Sequence, residues 1–95
     1  MLHVVRGDVF EFSILLCSID LDLIEKIEFI SKRLNICERA ERDGDSYRVK
    51  ILGERTKEFP LGFSKYNVIV TLIDGGELTV RCDKVEVLMR VVRNE

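Results

Sequence analysis

Apolar and polar side chains alternate at every second position in five segments, approximately residues 8–16, 46–52, 65–73, 77–82 and 84–92. In the first segment Phe10, Phe12, Ile14 and Leu16 form the apolar row. A period of two places one row of a β-strand on a buried face and the other row in water. The pattern therefore predicts an all-β fold, an antiparallel two-sheet β-sandwich of the immunoglobulin-like kind with seven or so strands.

Short runs rich in Gly, Asp and Pro separate these segments. Asp43-Gly44-Asp45 and Asp74-Gly75-Gly76 predict tight hairpins, because glycine supplies the positive φ that such turns demand. Pro60-Leu61-Gly62 predicts another turn, with proline presetting φ. Asp43 and Asp45 could also suggest a calcium loop. Such a loop needs more alternating oxygen ligands and a distal Glu, so the hairpin is favoured.

The segment near residues 22–34 allows two interpretations. Helical spacing is shown by its apolar residues Leu23, Ile27, Ile30 and Leu34, and Asp20 or Asp22 could cap the start of a helix. The same residues also allow a turn followed by a strand that presents Ile27 and Phe29. On the period alone the helix is favoured, and it would pack across one sheet face.

Composition indicates a folded, soluble chain. A length of 95 residues predicts one domain, residues 1–95, with 46% hydrophobic and 34% charged residues. The net charge of −2 gives no reason to expect attraction to nucleic acid or to an acidic membrane. No apolar run approaches the roughly 20 residues of a membrane helix, and no basic-then-apolar start predicts a secretion signal.

The sequence offers no catalytic or metal-binding motif. Cys17, Cys37 and Cys82 are widely spaced and the single histidine is His3, so we expect three reduced thiols that act as small apolar side chains. No G-x-S-x-G motif or phosphate-binding glycine loop occurs. Paired-carboxylate catalysis stays open, but no two acidic residues stand out. We expect no enzyme activity, no cofactor and no metal.

Nucleic-acid binding is not predicted either. Basic residues such as Lys32 and Arg33 are interleaved with acidic ones. A single-strand binder would need exposed aromatics beside a basic groove. The aromatic residues at positions 10, 12, 29, 47 and 66 lie on apolar rows instead, which predicts that they belong to the core.

Arg6-Gly7-Asp8 spells an adhesive tripeptide. An adhesive ligand has to lie on an exposed loop tip. Here the tripeptide is enclosed by Val4-Val5 and Val9-Phe10, which is typical of a strand, and a glycine within a strand usually marks a bulge or bend. We therefore expect an architectural role for it.

Several short motifs follow one another in a definite order along most of the chain. They are Arg6-Gly7-Asp8, Asp22-Leu23, Phe29 with Lys32, Thr56, Gly62 with Tyr66, and Asp74-Gly75. This order resembles small phage tail proteins, and it is most similar to the N-terminal β-sandwich domain of phage baseplate upper proteins. The chain departs from that pattern at Val9 and Ile24, where threonine is common, and at Phe63-Ser64-Lys65, which separate Gly62 from Tyr66.

The resemblance implies a structural role, as a docking module of a phage or prophage tail or baseplate. It implies a location in the virion after synthesis in the bacterial cytoplasm, with other phage structural proteins or copies of the chain as partners. It also shifts residues 24–34 toward a strand and places Arg6-Gly7-Asp8 at the start of the first strand. The alternative is a cytoplasmic bacterial β-sandwich adaptor that binds a protein or small ligand.

Some large apolar residues fall on the nominally solvent-facing rows, namely Leu15, Ile69, Leu88 and Val92. If neighbouring strands bring them together, they form the kind of apolar patch that marks a protein interface. This predicts docking or a homo-oligomer. The alternative, left open here, is that they face the second sheet or are covered by residues 24–34.

Overall fold

The computed structural model describes residues 1–16 and 19–90. This part of the chain contains eight strands, one 3₁₀ turn at Leu21–Leu23 and one turn of α-helix, α1, at Gly53–Thr56. The strands are β1 (Leu2–Val5), β2 (Phe10–Leu15), β3 (Ile24–Ser31), β4 (Ile36–Arg39), β5 (Glu41–Asp43), β6 (Ser46–Ile51), β7 (Gly62–Leu72) and β8 (Glu77–Leu88).

The strands form two sheets that pack as a sandwich. The first sheet has five strands in the order β1-β8-β7-β3-β4, and the second has three in the order β2-β6-β5. All pairings are antiparallel except that of β1 with β8, which is parallel. The predicted all-β, immunoglobulin-like sandwich is confirmed.

One cluster of buried apolar side chains fills the space between the sheets. At its centre Phe29 of β3 contacts an aromatic residue from each side, with ring centroids 6.0 Å from Phe10 and 4.9 Å from Tyr66. Phe10, Phe29, Tyr47 and Tyr66 are buried as expected, whereas Phe12 is half-buried. The alternating rows of β2, β6 and β7 therefore face inward as predicted.

The two glycine hairpins form where the sequence predicts them. Gly44 between β5 and β6 has a φ of +63°, and Gly75 between β7 and β8 has a φ of +91°. The bend at residues 60–62 likewise ends on Gly62, with a φ of +97°. L-residues with a side chain rarely adopt such values, so each turn needs its glycine.

The period-based preference for a helix over residues 22–34 is wrong, because residues 24–31 form β3. The register of β3 with β7 shifts between Ile24 and Lys26, so Glu25 is an extra, bulged residue. The four apolar residues at helical spacing do not share one face: Ile27 is buried on β3, Ile30 is on the opposite face of that strand, and Leu23 and Leu34 lie in the turns before and after it. Asp20 does cap a turn, since its side chain accepts a hydrogen bond from the Asp22 N–H, but only that of the 3₁₀ turn.

The two strands predicted at 77–82 and 84–92 are one strand, β8, which runs from Glu77 to Leu88. Residues 91 and 92 lie outside the described residues. The pairing of β7 with β8 shifts by one residue between Val68 and Ile69, and this interrupts the alternation of β8. Leu78 lies opposite Val70 and faces inward, whereas Cys82 lies opposite Asn67 and faces outward. Leu78, Cys82 and Met89 are exposed, contrary to the predicted buried rows.

The expectation that the thiols act as buried apolar side chains is also wrong for the two cysteines that are described. Cys37 and Cys82 are free and exposed. Both lie on the outer face of the first sheet, opposite Ile30 and Asn67 respectively. Cys17 lies outside the described residues.

Candidate interaction surface

Arg6-Gly7-Asp8 forms the turn between β1 and β2, so it does not start a strand as predicted. The Asp8 N–H donates to the Val5 carbonyl at 3.0 Å, and Gly7 has a φ of +88°. The Arg6 Nε–H donates to the Phe59 carbonyl at 2.7 Å. These bonds stop β1 at Val5 and delay β2 until Phe10, and they tie the tripeptide to the chain around α1.

Thr56 of α1 holds the same turn from inside. Its buried hydroxyl donates to the Asp8 carbonyl at 2.7 Å and accepts from the Gly7 N–H at 3.1 Å. Gly53, one turn earlier, lies so close to the Gly7 carbonyl that a Cβ atom would clash with it. The tripeptide is thus a packed turn that connects the two sheets.

The outer-row residues singled out from the sequence do not meet in one patch. Leu15 is on β2 of the second sheet, whereas Ile69 and Leu88 are on the first sheet. Ile69 is half-buried and lies opposite Glu28 of β3, so the 24–34 segment does flank it. Leu88 is exposed at the end of β8, next to Val5 of β1. Val92 lies outside the described residues.

Leu88 instead shares its face of the sheet with an exposed aromatic residue, Phe63. Phe63 of β7 is 51% exposed and lies opposite Glu86 on the outer face of the first sheet. Leu88 follows two residues later on the same face of β8. Phe63 also lines a shallow depression of about 430 Å³ with Lys32, Arg33 and Lys65.

Positive charge surrounds this aromatic ring. Lys65 follows Phe63 on the same face of β7, and Lys84 of β8 lies directly opposite Lys65. Lys32 and Arg33 come from the β3–β4 turn, and the Arg33 guanidinium donates to the Leu61 carbonyl at 3.1 Å. We call this surface the basic apolar face; it consists of Phe63, Leu88, Lys32, Arg33, Lys65 and Lys84.

None of those four cationic side chains forms an ion pair within residues 1–16 and 19–90. The cations that do so there are Lys26, Arg48 and Arg55. Directly opposed like charges destabilise a strand pair. Glu86, opposite Phe63, brings one negative charge to a face with four cations, so this face has an excess of positive charge around an exposed ring. An apolar, acidic partner would stabilise such an arrangement.

A cue in the sequence could have identified Phe63. It falls on the polar row of β7, the same row as Lys65 and Asn67, whereas Ser64 and Tyr66 belong to the other row. A large aromatic is unusual on a row that continues with a lysine and an asparagine, as a solvated face does. Lys32 and Arg33 could not be added from sequence, because they reach this face only through the pairing of β3 with β7.

Cys37 and His3 each lie against a carboxylate rather than against each other. The Cys37 thiol donates to the Glu28 carboxylate at 3.0 Å, and this bond lowers the pKa of Glu28 and raises the pKa of Cys37. A nucleophilic cysteine needs the opposite shift. The His3 ring instead lies 3.2 Å from the Glu86 carboxylate. Within the described ranges, no three His, Cys, Asp or Glu side chains are grouped to hold a metal ion.

Comparisons with known proteins support the fold and stop there. Neither a protein-family model nor a curated protein matches the chain. Among solved structures, the chain is similar to the fibronectin(III)-like modules of CbhA from Clostridium thermocellum, with a TM-score of 0.62 and 17% sequence identity. The similarity covers 96% of this chain and 89% of that one.

In the described part of the molecule, no helix is both long and apolar enough to cross a membrane.

Proposed function

We propose that the chain is a non-enzymatic docking module of a phage or prophage tail or baseplate. It binds other phage structural proteins or copies of itself. It acts in the virion after synthesis in the bacterial cytoplasm. The observation that carries the docking role is the basic apolar face, where a half-exposed Phe63 lies opposite Glu86 and among four cations that form no ion pair within residues 1–16 and 19–90. Such a surface suits a protein partner better than a substrate, because it is flat and open.

The phage part of the proposal rests on the order of motifs along the chain. The described structure gives several of these motif residues a structural task. Thr56 holds the Gly7 turn, Gly62 supplies a positive φ, and Leu23 accepts a hydrogen bond from the Ile73 N–H next to the Asp74-Gly75 hairpin. Residues with such tasks are those that related sandwiches would share, which is consistent with a common scaffold.

The experiment is to purify phage particles produced by the host that carries the gene and to quantify their proteins by mass spectrometry. We expect the chain at a fixed ratio to the major tail proteins. A strain that expresses Phe63→Asp should yield particles depleted of the chain, whereas Leu15→Asp, an exposed residue of the second sheet, should not. Particles that lack the wild-type chain would contradict the proposal and favour the cytoplasmic adaptor.

A further inference from the structure

A second exposed apolar surface lies at the far end of the β7–β8 hairpin. Ile73, beside the hairpin turn, is 64% exposed, and Leu23 next to it is also exposed. The Ile73 N–H donates to the Leu23 carbonyl at 2.9 Å, which fixes the 3₁₀ turn against the hairpin. The apolar side chains at this end are therefore held on one rigid feature.

The charge at this end is opposite to that of the basic apolar face. Residues 19–25 and 72–79 contain five acidic residues and no Lys or Arg. None of these acidic side chains is in an ion pair within residues 1–16 and 19–90. We call this surface the acidic apolar tip; it consists of Leu23, Ile73, Asp22, Asp74 and Glu77.

The tip and the face cannot meet within one molecule. Phe63 and Ile73 are at opposite ends of β7, about 33 Å apart at the usual rise of a strand. The sandwich is elongated, with extents of 53 × 25 × 20 Å, and the hairpin is part of its rigid first sheet. Any contact between these two surfaces must therefore join two copies.

We propose that the acidic apolar tip of one copy docks on the basic apolar face of the next. The proposal rests on the docking role above and names the partner. Contact would bury Ile73 and Phe63 and would place Asp74 and Glu77 among Lys32, Lys65 and Lys84. Complementary charge of this kind sets the orientation of a contact and excludes tip-to-tip and face-to-face pairing.

Such a contact is heterologous, because two different surfaces of the same chain meet. Each copy keeps a free tip or a free face until the array closes on itself. Heterologous contacts build rings when the rotation between copies closes, and filaments when it does not. We therefore expect association that depends on concentration rather than a simple two-fold dimer.

The experiment uses two variants that each destroy one surface. Ile73→Lys destroys the tip and keeps the face, and Phe63→Asp destroys the face and keeps the tip. Sedimentation velocity at roughly 100 µM follows each variant alone and in an equimolar mixture. We expect the wild type to associate, each variant alone to be monomeric, and the mixture to form a one-to-one dimer that does not grow further.

Other outcomes overturn the proposal. Self-association of Ile73→Lys alone would show face-to-face pairing, and self-association of Phe63→Asp alone would show tip-to-tip pairing. A strictly monomeric wild type would exclude the contact, although its presence in phage particles would still support a docking role with another partner. Binding of a single-stranded oligonucleotide that is lost in Phe63→Asp would assign the face to nucleic acid instead.

Charge reversal provides a second test if either apolar variant fails to fold. Lys65→Glu and Glu77→Lys are exposed substitutions, and each should weaken association about tenfold. A mixture of chains in which the reversed charges can meet should recover most of that loss. Leu15→Lys, at an equally exposed position on the second sheet, is the matched control and should leave association unchanged. Equal loss in the control, or no recovery in the mixture, would contradict the proposal.

Discussion

Lys65 of β7 and Lys84 of β8 lie directly opposite each other on the outer face of the first sheet. Directly opposed like charges disfavour a strand pair, yet this pair occurs in a chain whose net charge is only −2. The arrangement costs the free monomer stability. A partner that brings negative charge to this face would remove that cost.

Lys84→Glu should therefore separate stability from binding. The new carboxylate would face Lys65, so we expect the free energy of unfolding to rise by about 0.2–1 kcal/mol. Association should weaken in the same variant, because a cation of the face is lost. Urea unfolding and sedimentation on one preparation check both effects. A variant that loses stability would contradict the assigned register.

Thr56→Val should destabilise the sandwich by about 1–3 kcal/mol, because it removes the hydroxyl that both accepts from Gly7 and donates to Asp8. Valine has nearly the same shape, so packing around the site is kept. Thr56→Ser, which retains the hydroxyl, is the control and should cost less. Equal midpoints of thermal unfolding for the two variants would show that these bonds do not hold the turn.

Tyr66→Phe should leave stability unchanged or raise it. The Tyr66 hydroxyl is buried and has no hydrogen-bond partner among the described residues, and burial raises the pKa of this phenol. Removing a polar atom that has lost its water without gaining a partner is neutral or favourable. Chemical denaturation of the two proteins measures the difference. A loss of more than about 1 kcal/mol would mean that the hydroxyl is bonded in solution.

The Cys37–Glu28 hydrogen bond should contribute to stability only in a window of pH. Because the bond lowers the pKa of Glu28 below its ordinary 4.5, its contribution is present above that value and disappears as the pH falls through the lowered pKa. Because it raises the pKa of Cys37 above 9.0, the contribution is also lost as the pH rises through the raised pKa.

The difference in free energy of unfolding between wild type and Cys37→Ala should therefore shrink at both ends of that window. In an NMR titration, the pKa of Glu28 should move upward in Cys37→Ala, because the thiol donor is lost. A Glu28 pKa that does not change in the variant would exclude the bond.

The parts of the fold that depend on neighbouring residues could be predicted from the sequence. The alternation within β6 and β7 and the glycines at positions 44 and 75 place those strands and hairpins close to where they lie. Each of these patterns is contained within a few neighbouring residues, because a strand face and a tight turn are determined locally.

The parts of the fold that depend on the register between distant strands could not be predicted from the sequence. The helix-like spacing of Leu23, Ile27, Ile30 and Leu34 runs across the 3₁₀ turn, β3 and the β3–β4 turn, and the shift opposite Val68 turns Cys82 to the outer face of β8. The basic apolar face has the same origin. Its members come from β7, β8 and the β3–β4 turn, and only the pairing of those strands places Lys32 and Lys84 near Phe63.

The parallel pairing of β1 with β8 has a mechanical consequence. Leu2 lies beside Val85 and Val5 beside Leu88, so tension applied before Leu2 and after Leu88 slides one strand along the other. All the backbone hydrogen bonds between them are then strained at once, whereas a hairpin pulled from its two ends opens one bond at a time. The sandwich should resist tension along this axis, and an unfolding force in single-molecule pulling no higher than that of hairpin opening would contradict it.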